Sequence, residues 1–246
     1  MAHSTELFPV EIDPFFAEDL RQMERAVNYR QWQFAMVERF VHGRVLEVGG
    51  GIGNFTPQLA ARAKSIVSLE PNEYCYRQLL EKTKGIPNLA AHRITVESLD
   101  TVIPAGEKFE TVILMNVLEH IQDDQAVLAA LKQRLADDGR VVVLVPAGPW
   151  AFGTTDDRLG HYRRYSKGYA RSLFGGLDLE IEFMRYYNFI GIWAWWWNAK
   201  FNRRETQNDG QIRFFDKFLV PVTSWVEKFV RPPVGQSILI VGRLKK

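Results

Sequence analysis

The sequence predicts a doubly wound α/β fold around a mostly parallel sheet. Short apolar runs alternate with helical spacing five times, the runs are continuous rather than alternating, and four glycines crowd the turn after the first run. At 246 residues, 46% hydrophobic and 24% charged, the chain can bury a sizeable core.

Taken in order, Phe15 to Phe40 reads as a helix, with Leu20, Met23, Val27, Phe34, Val37 and Phe40 near helical spacing, and Gly43 closes it. Arg44 to Val48 is a strand that runs into Gly49-Gly-Gly-Ile-Gly53. Helical character resumes from Phe55 to Ala63, and Ser65 to Leu69 is a second strand closed by Glu70-Pro71. Asn72 caps a helix through Lys82. A third strand is expected around His92 to Val96, and Phe109 to Met115 is the fourth. Asp123 or Asp124 caps a helix to about Ala136. Asp138-Gly139 then turns into the fifth strand, Arg140 to Val145. Leu179 to Tyr187 and Ser237 to Leu244 read as two further strands, for a sheet of seven. The organisation expected is a helical cover over residues 1–43, an α/β core over 44–187, an aromatic-rich helical insertion over 188–231, and a final core strand in 232–246.

In such a fold the first strand–helix turn is where ligands bind. Glycines there allow left-handed backbone angles and close approach of a ligand. A dinucleotide site wants G-x-G-x-x-G, but Asn54 or Thr56 stands at the third glycine position in either register. No Gly-Lys-Ser/Thr follows, so the phosphate-cradling loop is absent too.

What stands in the sequence is acidic-x-Gly-x-Gly-x-Gly at Glu47, Gly49, Gly51 and Gly53. It resembles the first motif of class I S-adenosylmethionine-dependent methyltransferases, which have a Rossmann-like fold. The resemblance implies that the loop packs around the methionine part of S-adenosylmethionine. It also implies that Glu70, 17 residues past Gly53, accepts the ribose hydroxyls. Thr95-Val96 falls where the family holds adenine, with threonine in place of the usual aspartate. Asn116-Val-Leu-Glu-His120 is similar to the motif that lines the methyl end. Val145-Pro-Ala, Asp157 and Gly160-His-Tyr-Arg-Arg-Tyr165 resemble a bacterial subgroup acting on small molecules. Asn28-Tyr29 and Trp32 resemble its N-terminal cover, which places Tyr29 at the cofactor.

The chemistry implied is an in-line displacement that needs alignment and exclusion of water, and a base only if the acceptor must lose a proton. His120 and His161 are the candidate bases; the plainer role for each is to brace its own loop. Arg163 and Arg164, with Tyr165 beside them, could grip an anionic acceptor; alternatively one arginine pairs with Asp156 or Asp157. Trp193, Trp195, Trp196 and Trp197 cannot all face one core from one helix. Trp193 and Trp196 are the candidates to touch an apolar or amphiphilic acceptor, or the segment meets a membrane surface or a subunit.

With 31 basic and 29 acidic residues, no nucleic-acid footprint is visible. No metal is expected. One cysteine, Cys75, fits a reducing cytoplasm, with peripheral membrane contact through the tryptophan segment as the variation. The first thirteen residues lack a signal-peptide pattern, and the apolar run from Phe189 to Trp197 is far short of the roughly 20 residues that span a bilayer. A nicotinamide-dependent oxidoreductase of like fold and a non-catalytic cofactor-binding partner are the competing readings. No oligomeric state follows from the sequence.

Overall fold

The computed structural model describes residues 14–197 and 209–245. Seven strands form one sheet: β1 (Arg44–Val48), β2 (Ser65–Leu69), β3 (Leu89–His92), β4 (Phe109–Met115), β5 (Leu135–Pro146), β6 (Leu179–Tyr187) and β7 (Ser237–Leu244). Their order is β3-β2-β1-β4-β5-β7-β6. The first five run parallel, and β7 lies antiparallel between β5 and β6. The order reverses between β1 and β4, which makes the carboxyl ends of these strands the switch point where ligands bind.

Why the central strands are apolar throughout follows from the layers. Leu46, Val112, Leu114, Val141 and Val143 belong to one core cluster; their neighbours Val45, Ile113 and Val142 belong to another. Successive side chains point to opposite faces, and helices cover both. These helices are α1 (Pro14–Arg25), α2 (Val27–Val37), α3 (Thr56–Ala60), α4 (Glu73–Thr83), α5 (Asp124–Lys132), α6 (Thr154–Arg158), α7 (Lys167–Gly176), α8 (Phe189–Trp197), α9 (Asp209–Phe214) and α10 (Val220–Val226). A π-helical turn, Phe215–Leu219, joins α9 to α10. Asn72 and Asp123 cap α4 and α5, accepting from the backbone N–H of Cys75 and Ala126.

Four sequence expectations are corrected. The helix expected from Phe15 to Phe40 is two helices, broken at Ala26. Asp216 makes the break tolerable: its carboxylate accepts from the backbone N–H groups of Asn28 (3.3 Å) and Tyr29 (2.8 Å), at the amino end of α2 where negative charge is favoured. The third strand is Leu89–His92, not His92 to Val96. It is the sheet edge and none of its residues is fully buried, whereas Ile94 and Val96 pack on the core from the segment that follows. The helix α5 ends at Lys132, short of Ala136. The fifth strand starts at Leu135, and Asp138-Gly139 falls within a register shift against Phe109 and Thr111 rather than before the strand.

Of the expected organisation, residues 1–13 of the cover and 198–208 of the insertion, including Phe201, Arg203 and Arg204, lie outside the described residues. Helices α8, α9 and α10 stand between β6 and β7. Among the described residues, no helix is long and apolar enough to cross a membrane.

Candidate active site

The turn after β1 is held from behind. The backbone N–H groups of Gly49 and Gly50 both donate to Leu69 O, at 2.8 and 3.0 Å, which ties the loop to β2. Glu47 is buried and accepts from Thr56 Oγ1 (2.8 Å) and Ser68 Oγ (2.6 Å), so it braces the turn instead of lining the cavity. Gly51 has φ +56°, and a Cβ there would meet nothing within 4 Å. Side chains at this angle are strained, and the open space is the cavity itself, so the backbone is exposed to close approach by a ligand.

Glu70 is fixed opposite. Its Oε2 accepts from Gly51 N (2.8 Å) and its Oε1 from Asn72 N (2.9 Å). Both oxygens keep further acceptor capacity, and the residue lines the cavity. Burial pushes its carboxyl up to about 7, against the two backbone hydrogen bonds, and the nearby Glu47 adds to the rise.

The cavity, about 1120 Å³, opens over the carboxyl ends of β1 and β4. Tyr29, Gly49, Gly51, Glu70 and Asn116 all line it. Asn116 holds φ +54°, a strained angle that asparagine tolerates better than most residues. At the far side Glu119, His120 and His161 gather, with one donor atom from each within 4.8 Å of the others. The two imidazoles meet edge to face, with centroids 4.7 Å apart. Burial, then His161, pulls His120 down to about 3, so its ring is neutral. Burial pushes Glu119 up to about 8, and its Oε2 has no hydrogen-bond partner among the described residues.

A buried carboxylate organises this end. Asp156 Oδ1 accepts from His161 Nδ1 and from Arg164 Nε, each at 2.8 Å, and Oδ2 accepts from Trp195 Nε1 at 3.3 Å. Burial alone would raise Asp156, but the His161 hydrogen bond and the Arg164 charge outweigh it and hold it below the usual carboxylate range. Arg164 also stacks on Trp195, 4.5 Å from the ring centroid.

Several expected residues sit elsewhere. Arg163 donates to Ile121 O and Gln122 O and pairs with Asp124, so it orders a loop. Tyr165 is fully buried on Leu118 O and Asp124. Arg164 lines the cavity but is committed to Asp156 and Ala147 O, which leaves it poorly placed to grip an anion. Trp193 is half exposed against Trp150 and Phe189, and Trp196 packs on Trp193; Trp195 and Trp197 line the cavity instead. Gly53, Thr95 and Val96 are not among the lining residues, and Val96 is in the core.

Reading the sequence missed Asn54, Asn72, Asp156 as a hub, Trp195 and Gln33. Gln33 is buried on α2 beside Met36 and Val37, and its Oε1, like Asn54 Oδ1, is an acceptor at the cavity with no partner among the described residues. A lone amide on the apolar face of a helix was the available signal.

A family model described as a methyltransferase domain matches residues 17–204, about three quarters of the chain. The chain belongs to this methyltransferase-domain family. The chain is 30% identical over 117 residues to a ubiquinone biosynthesis O-methyltransferase of Paracidovorax citrulli, covering 47% of this chain and 44% of that one. It is 30% identical over 142 residues to a tRNA U34 carboxymethyltransferase of Stutzerimonas stutzeri, covering 56% and 40%. The chain thus spans less than half the length of these curated relatives. In fold it is similar to the N-methyltransferase NodS of Bradyrhizobium japonicum in complex with S-adenosylhomocysteine, with TM-score 0.55 at 14% identity over 96% of this chain and 91% of that one.

The family cofactor, S-adenosylmethionine, fits what the pocket offers. A bare, left-handed glycine stands beside an oriented carboxylate, and the acceptors Gln33 Oε1 and Asn54 Oδ1, without a partner among the described residues, suit the donor-rich ends of that ligand. The nicotinamide-dinucleotide reading is not favoured by these matches.

Proposed function

We propose that this methyltransferase-family chain methylates a small apolar or amphiphilic acceptor. The observation that carries it is the second half of the cavity. Beyond the glycine loop, its lining includes Trp195, Trp197, Phe214, Phe215 and Leu219, with polar groups gathered around Glu119, His120, His161 and Arg164. Such a wall binds an acceptor by burying apolar surface, at about 25 cal/mol per Å².

When bound, S-adenosylmethionine supplies a methyl group already activated by its sulfonium. Glu70 would hold its ribose, and Gly49 to Gly51 its amino-acid end. Residues of α2, α8 and α9 line the cavity beside the glycine loop, and an acceptor seated there would displace water from the reacting atoms. When the His161 ring is neutral and its Nδ1–H donates to Asp156, the acceptor lone pair is on Nε2. For an acceptor with O–H or N–H, that nitrogen takes the proton as the methyl arrives. His120 does not compete for it, because its buried ring is a very weak base.

The test is turnover of labelled donor with a panel of acceptors. Apolar phenols and long-chain amphiphiles should be methylated; turnover confined to flat polar acceptors or to tRNA would contradict the proposal. His161→Ala should lower kcat by about 10²–10⁴-fold with the donor KM unchanged. Glu119, His120 and His161 together have the composition of a divalent-metal site. Turnover should nevertheless survive a chelator; loss that zinc or manganese restores would assign the cluster to a cation.

A further inference from the structure

From α9 through the π-helical turn to the end of α10 and the turn after it, the chain presents three faces. Asp216, Val220, Thr223 and Glu227 form the buried one. Phe214, Phe218, Val222, Trp225 and Phe229 follow at helical spacing on an outward row, each more than half exposed and Phe229 at 75%. Ring contacts join Phe214 to Phe218 (5.3 Å) and Trp225 to Phe229 (5.5 Å). By the same spacing, Arg213, Lys217 and Lys228 lie along one flank of that row, all exposed.

The acids of residues 210–231 are Asp216 and Glu227, and both are buried on backbone N–H groups of other elements. After Asp209, which begins α9, the exposed charge of residues 210–231 is therefore wholly basic: Arg213, Lys217, Lys228 and Arg231. An apolar row of this size on a water-facing helix marks a contact surface. The make-up of row and flank, with Trp and Phe beside Lys and Arg and no exposed acid, is that of a helix lying in a membrane interface.

We infer that this face docks on an anionic phospholipid bilayer, with the row in the acyl boundary and the flank on the headgroups. A second copy of the chain fits less well, because a two-fold contact through this face would bring like charges together. Phe214 belongs to both the row and the cavity lining, and Ile212, Phe215 and Leu219 line the cavity from the same helices. Docking thus sets the cavity mouth at the bilayer. The membrane contact expected of residues 193–197 moves to this later stretch, where row and cations occur together.

The experiment is flotation of the full chain with vesicles of phosphatidylcholine, with and without phosphatidylglycerol. Binding is expected to the phosphatidylglycerol vesicles and to fall as salt rises. Lys217→Glu should weaken it about fivefold or more, and Phe218→Ser with Phe229→Ser should abolish it. In both variants the melting temperature and S-adenosylhomocysteine affinity should be unchanged, since these exposed residues lie outside the cavity. Failure of the wild-type chain to bind either vesicle, or equal binding by the serine variant, overturns the inference. So does a wild-type dimer that the serine variant dissolves, which would assign the face to a second copy.

Discussion

Glu70→Gln is expected to weaken S-adenosylhomocysteine binding by about a hundredfold or more. Two hydrogen bonds to a charged acceptor are at stake, each worth about 1.5–3 kcal/mol. Glutamine cannot substitute, because its amide nitrogen would face the backbone N–H of either Gly51 or Asn72, both of which now donate to the carboxylate. A pH signature accompanies the loss. Burial lifts Glu70 to about 7, so the acceptor form is depleted below that value. Cofactor affinity should therefore fall about tenfold from pH 8 to pH 6, and the glutamine variant should show no such step at Glu70. Without ligand the linkage runs the other way. A carboxyl raised in the folded state stabilises the fold below its unfolded value of 4.5, and that contribution is lost as pH rises through about 7. Calorimetric titration at several pH values, with a melting series of the ligand-free chain, checks both signs.

Asp156→Asn should be the most damaging single change at the polar end. The carboxylate is fully buried and serves His161, Arg164 and Trp195 at once. Removing its charge leaves Arg164 buried and unpaired, which costs about 3–5 kcal/mol. For a chain of this size the melting temperature should drop by roughly 6–20 °C. Its effect on turnover is expected through position: asparagine no longer enforces the His161 tautomer, and kcat should fall about a hundredfold. The donor's Kd should hardly change, because Glu70 and the glycine loop do not touch Asp156. Nitrogen NMR of the His161 imidazole would show the tautomer redistributed, which a merely structural role would not produce.

The strands that carry the cofactor site were legible because both their faces are buried. β1, β2 and β4 match the apolar runs that predicted them, and β6 and β7 match as well. Asn72 was legible as a cap, and the second cap to within Asp123 or Asp124, because a cap acts within its own turn. What could not be read depends on distant partners. Nothing near Ala26 breaks a helix; the break rests on Asp216, 188 positions from Asn28. Arg163 and Arg164 are adjacent and identical in type, yet one ends on loop carbonyls and the other on Asp156. Which tryptophan faces the cavity depends on how α8 is rotated. That is fixed by Glu227, which accepts from the backbone N–H groups of Asn188 and Phe189, and by Asn188 Oδ1, which accepts from Gly191 N.

The most direct test of the cofactor pocket is a crystal structure of the chain with S-adenosylhomocysteine bound. Both ribose hydroxyls should donate to Glu70, with the amino-acid end of the ligand against Gly49 to Gly51. A nucleoside bound elsewhere, or Glu70 keeping only Gly51 and Asn72 as partners while the ligand is present, would contradict it.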